Sequence, residues 1–139
     1  MSAMGLGLFV TLAVGSDDSK TGGTLLGNQM DAYALEFIDS NAILEPGEQI
    51  RAYYDVTIAL DSSEFAMVTD QRVVYWKAGH SSSINLNEIA SIDVRDEGLI
   101  GTVIDVKAED GTPMRIEVAP MNGGELFAAE LQSAWDASY

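Results

Sequence analysis

The side chains best suited to chemistry lie together in "AGHSSS", Ala78 to Ser83, where the sole histidine of the chain, His80, precedes three serines. A nucleophilic serine needs a base to take its proton and an acid to orient that base. These groups come from separate elements, so neighbours in one loop cannot supply the geometry. No nucleophile elbow is present. Two carboxylate clusters, "DVRDE" at 93–97 and "EDG" at 109–111, lack the alternating acidic spacing and distal glutamate of a calcium loop. "GLGLFV" at 5–10 has two glycines of a dinucleotide fingerprint but neither the third nor a preceding strand. Cysteine is absent, which removes disulfides, thiolate metal sites and cysteine nucleophiles. The pattern calls for no catalytic residue, no metal and no cofactor, and it reads His80 as an exposed loop residue.

Charge narrows the partners. The 22 acidic residues face seven basic ones, scattered singly, for a net charge of -15. Nucleic acid is bound by releasing counterions to clustered Lys and Arg, so it is excluded as a partner. Purely electrostatic docking to anionic lipid is disfavoured for the same reason. At 139 residues, nearly half of them apolar, the chain has the size and composition of one folded domain with a short appendage. No internal repeat is visible.

The elements that must position any site follow from periodicity. Leu26, Met30, Tyr33 and Phe37 recur at helical spacing, which predicts an amphipathic helix within 24–43, ended by "EPGE" at 45–48. From Ile50 the period falls to two. Strands are expected at 50–60, with Ile50, Ala52, Tyr54, Val56, Ile58 and Leu60 facing inward, then at 64–69, 72–79, 83–86, 91–97, 102–108 and 113–119. Asp110-Gly111 marks a hairpin between the last two, whose outer residues Asp105, Lys107, Arg115 and Glu117 can pair across strands. Thr69 and Asp70 suit a tight turn, and Arg72 just beyond it suits a structural ion pair or turn support better than a ligand contact. Asn122 and Glu125 fit a capping box opening a C-terminal amphipathic helix with Leu126, Phe127, Leu131, Ala134 and Trp135 on its apolar side. The sum is a mainly β fold: a seven-stranded antiparallel barrel or pair of orthogonal sheets closed by that helix.

Residues 1–16 contain no charged side chain, and a Gly-rich joint, "SKTGGT", follows at 19–24. A helix of sixteen residues rises about 24 Å, short of the ~30 Å hydrocarbon core of a bilayer, and the basic n-region of a signal peptide is missing. Three expectations stand side by side: a segment packed on its own domain or a sister subunit, a membrane anchor, or an export signal. In each, Met4, Leu6, Leu8, Phe9, Val10, Leu12 and Val14 would make the membrane or partner contact.

From about Leu44 to Ala137 the sequence resembles a bacterial pleckstrin-homology domain of the GRAM-like kind. The resemblance rests on "LEPGEQI" before the first strand, "FAMVTDQRVVYW" with its Thr-Asp-x-Arg turn, "INLNEIASID", and "IEVAPMNGGELFAAEL" entering the helix. It implies a pleckstrin-homology-like unit at 44–139, which follows the apolar segment and joint at 1–23 and the helix at 24–43 read from composition and period. It also implies phosphoinositide binding or ring-like assembly. Against the first, the loop where such domains gather Lys and Arg is here "ALDSSE", with two acids and no base. The expected function is a non-enzymatic interaction or scaffolding module, cytoplasmic, with a protein partner or further copies of itself and with membrane association or export through residues 1–16 left open. The alternative is a soluble barrel holding a small apolar or lipid ligand between barrel and C-terminal helix.

Overall fold

In a computed structural model, residues 22–139 are described. Their alternating apolar residues form eight strands: β1 Leu25–Leu26, β2 Ile50–Asp55, β3 Glu64–Thr69, β4 Arg72–Lys77, β5 His80–Asn85, β6 Ile89–Asp96, β7 Thr102–Ala108 and β8 Pro113–Val118. They make two antiparallel sheets, of five strands in the order β1-β2-β3-β4-β5 and of three in the order β6-β7-β8. A 3-10 turn at Leu86–Glu88 parts β5 from β6, so the sheets are not closed into a barrel. Of the two arrangements expected, the pair of sheets is the observed one.

The central strands β2, β3 and β4 of the five-stranded sheet are buried on both faces. Ala52, Tyr54, Ala66, Val68 and Val73 meet Ile104, Val106 and Ile116 of the smaller sheet, and helix α2 (Gly124–Ala137) closes this layer with Phe127, Ala128, Leu131 and Ala134. On the other face Tyr53, Phe65, Met67, Val74 and Trp76 pack under Leu25, Ile43 and helix α1 (Ala32–Ser40). Phe65 lies 4.9 Å from Tyr53 between ring centroids, and Phe37 of α1 meets Phe65 and Trp76 edge-on. Two-sided burial is why β3 reads as a continuous apolar run where a half-exposed strand would alternate.

Four expectations are corrected. The helix within 24–43 covers only 32–40: Asp31 caps it by accepting from Ala34 N at 2.8 Å, and Leu25–Leu26 instead pair with Tyr53 and Ala52. Ala34 and Ile38 are the buried face; of the expected stripe, Met30 and Phe37 pack against the same cluster, Leu26 belongs to β1 and Tyr33 is exposed. The first long strand stops at Asp55, not Leu60. The buried Asp55 carboxylate accepts from Thr57 N, Thr57 Oγ1 and Ser62 N, which folds 56–62 into a loop and leaves Ile58 fully exposed. Finally, α2 has no capping box. Its N-cap is Gly123 at φ 79°, and Asn122 donates its side-chain amide to Pro120 O. The loop reading of His80 is also revised: His80 opens β5, reached by a two-residue turn of Ala78 and Gly79, both at positive φ.

Leu131 is completely buried where α2 seals the inner layer. Leu131→Ala removes that plug, and we expect a loss of about 3 kcal/mol in urea unfolding with an unchanged m-value.

Candidate interaction surface

The acidic chain places its four arginines in fixed pairs. Arg72 forms a two-pronged bond with Glu48, Nε to Oε2 at 2.8 Å and Nη2 to Oε1 at 2.9 Å, and Nη2 also donates to Ile43 O at 2.6 Å. Thr69 donates its hydroxyl to Glu48 and accepts from the amides of Gln71 and Arg72. Asp70 accepts from Gln49 N at 3.0 Å. The Thr-Asp-Gln-Arg turn is thus a structural clasp holding the 43–49 segment, and Arg72 supports it. Burial pushes the Glu48 carboxyl up, but the bonds from Arg72, Thr69 and the Glu45 amide together outweigh it and hold the group below its ordinary value.

On the outer face of the small sheet, Asp105 bridges Arg115 at 2.9 Å and Arg95 at 2.8 Å, and Arg95 also pairs with Asp93 and Glu97. Arg115 first, then Arg95, keeps the Asp105 carboxyl low. Arg51 reaches Glu130 and Ser133 of α2. Every arginine is engaged with carboxylate, which leaves a phosphate no free guanidinium to bind.

Among the described residues, no group of His, Asp and Glu side chains could hold a metal. His80 and Ser81 to Ser83 stand exposed along β5, in a strand where successive side chains alternate and no acid completes a catalytic set. What the surface does present is backbone and apolar area. Among the described residues, β5 is the outermost strand of the large sheet, paired with β4 alone. Pairing across the Ala78–Gly79 turn sets Lys77 opposite His80, Tyr75 opposite Ser82 and Val73 opposite Ile84. Bonded pairs alternate from such a turn, so the amides and carbonyls of Ser81, Ser83 and Asn85 face outward.

Exposed apolar side chains gather elsewhere. The β6–β7 loop carries Leu99 and Ile100, and Val94 and Met121 line a half-open groove of about 360 Å³ beside the start of α2. Gly124 lets the helix end press against β7, since a Cβ there would fall 2.2 Å from Thr102 Oγ1. The sequence marked none of this surface. The contact residues it did mark, Met4, Leu6, Leu8, Phe9, Val10, Leu12 and Val14, lie outside the described residues. No helix among the described residues is long and apolar enough to cross a membrane.

No family model matches the chain, and no curated protein matches it. Among solved structures, the crystal structure of a DUF1696 family protein with a pleckstrin-homology domain, from Shewanella loihica PV-4, aligns with a TM-score of 0.59. The alignment covers 83% of this chain and 99% of that one at 13% identity. The fold is pleckstrin-homology-like. In this version of it, a clasp of Glu48 and Arg72 stands at the turn between β3 and β4, and the surface of the small sheet is an acid-rich ion network.

The lowered Glu48 pKa fixes a sign. A carboxylate held below its unfolded value adds stability that is full above about pH 4.5 and is lost as the pH falls through its folded value. Glu48→Gln should therefore cost about 2 kcal/mol at neutral pH, a loss of charged hydrogen bonds, and the gap to wild type should narrow as the pH falls below about 4.5 and through the lowered folded value. Paired denaturant titrations from about pH 3 to 7 measure that gap directly.

Proposed function

We propose that the chain is a non-enzymatic interaction and scaffolding module of the bacterial, GRAM-like pleckstrin-homology kind. It acts in the cytoplasm as a subunit of a larger assembly and is joined to its neighbour by strand addition at β5. The observation that carries this reading is the edge itself. Six residues, "HSSSIN", run along the side of the large sheet with no lysine, proline or acid to block a further strand. Natural edges are normally blunted by such residues, and an edge left open is a template for pairing. The small serine side chains leave the outward amides accessible, and none of their neighbours on β5 adds charge repulsion.

The alternative, an apolar ligand held between sheet and helix, draws no comparable support. Phe127, Leu131 and Ala134 fill that space against Ile104 and Ile116, all of them buried. A phosphoinositide would meet the acidic loop 61–64 and arginines already paired.

The occupant tested directly is a second copy of the chain. Ser83→Pro removes one outward N–H without touching the β4–β5 bonds, so the variant should keep its fold by circular dichroism. In light scattering the wild type should run above monomer mass and Ser83→Pro as a monomer. Ser82→Pro, whose N–H faces β4, should instead destabilise the fold. A wild type that stays monomeric at high micromolar concentration, or an assembly that Ser83→Pro leaves intact, would overturn strand addition between copies.

A further inference from the structure

Charge along the β4–β5 hairpin selects the chain that supplies a further strand to β5. Between Asp70 and Glu88 the sequence holds no carboxylate, the longest such run among the described residues of a chain with net charge -15. That run contains β4 and β5 entire, Arg72–Lys77 and His80–Asn85. Two copies of an acidic chain repel over most of their surfaces, and they meet at least cost where neither brings a carboxylate to the contact. A basic strand, by contrast, would find no acid to pair with along this edge and would meet the Lys77 ammonium at one end of it.

Geometry then sets the register. The outward backbone groups belong to Ser81, Ser83 and Asn85, and β5 lies between the Ala78–Gly79 turn and the 3-10 turn at Leu86–Glu88. A symmetric antiparallel pair has to be centred on an outward residue. Centred on Ser81, it would set Ser83 against Gly79 and Asn85 against Lys77, across the hairpin turn. Centred on Asn85, it would set Ser83 against Asn87 and Ser81 against Ile89, in and beyond the 3-10 turn. Centred on Ser83, it places every outward amide opposite an outward carbonyl: Ser83 faces its own copy, and Ser81 of each chain faces Asn85 of the other. The side chains suit that register. Ile84 is buried opposite Val73 on the inner face, so Ser81 and Ser83 stand on the outer face beside Trp76 and Val74. There the pair brings small hydroxyls against a hydroxyl and an amide, which can hydrogen-bond across strands.

We infer that two copies of this chain join through β5 as an antiparallel pair centred on Ser83 and related by a two-fold axis, which merges their large sheets into one. The inference rests on the β5 reading and adds to it the partner, the register and the closure. A two-fold contact consumes both edges, so it ends at two copies where a head-to-tail contact would propagate.

The chain has no cysteine, so each crosslink reports one introduced residue. Full chains are sized by light scattering and then oxidised. Ser83→Cys, a near-isosteric change, should form a disulfide dimer several-fold faster than Ser81→Cys or Asn85→Cys alone, whose self-pairs would lie four residues apart along the strand, about 13 Å and beyond disulfide reach. Mixing Ser81→Cys chains with Asn85→Cys chains should restore the crosslink. Salt raised to about 0.5 M should increase the dimer fraction, because it screens the repulsion between the copies. A wild type that stays monomeric at every salt concentration overturns strand addition between copies and this inference with it. An assembly in which Ser81→Cys or Asn85→Cys crosslinks alone as fast as Ser83→Cys, in which the mixture stays uncrosslinked, or which added salt dissolves overturns this inference and leaves strand addition standing.

Discussion

The five-stranded sheet has to be covered twice, and most of the architecture follows from that requirement. With Phe65, Met67, Val74 and Trp76 on one face and Ala66, Val68 and Val73 on the other, neither side can face water. The inner face is met by the small sheet and α2. The outer face needs its own cover, and α1 supplies it with Ala34 and Ile38, two residues one helical turn apart. This explains why a chain whose inner layer is already a complete two-sheet core carries a helix before its first long strand. It also explains the Glu48–Arg72 clasp, which pins the 43–49 segment returning from α1 to the turn between β3 and β4.

Covering both faces leaves the edges. β1 shields only Ala52 and Tyr53 of β2, and β5 pairs with β4 alone among the described strands. An open edge on a weakly charged protein would invite indiscriminate pairing, but here the surrounding surface is strongly acidic and like charges disfavour random encounters. Acidity can then act as a filter: a partner has to align a strand well enough to overcome repulsion at longer range. The arginines do not relax that filter, since Arg51, Arg72, Arg95 and Arg115 are all held by carboxylates.

Much of this was legible in the sequence, and the exceptions share a cause. The β7–β8 hairpin, the Arg115–Asp105 pair, the role of Arg72 and the buried residues Phe127, Leu131 and Ala134 follow from period and turn chemistry, which are local. The α1 boundary was missed because the apolar period was followed back to Leu26, past Asp31, which accepts from Ala34 N as a cap should. The strand through Leu60 was extended because alternation continued past Asp55. A buried carboxylate gathering three donors overrides hydrophobic period, and its partners, two and seven residues on, could have been suspected from "DVT" and "DSS". Asn122 failed as a cap because two glycines follow it, and Gly123 takes the left-handed position that brings Gly124 against Thr102.

The candidate surface was illegible for a different reason. "HSSSIN" looks like a loop because its side chains are small and polar, and three of its six residues, 80–82, were left between expected strands. As an edge strand its binding groups are backbone amides, which every residue but proline possesses, so the side chains record only that nothing obstructs them. Catalytic sites advertise themselves through rare side chains at constrained spacing. A strand edge advertises itself by the lack of gatekeepers, and that lack gains meaning only once sheet order shows which described strand is paired on one side alone. In this chain the residue types that looked most chemical, His80 and the three serines, therefore matter for their small bulk and their position on the rim of a sheet, and their reactivity has no part in the account.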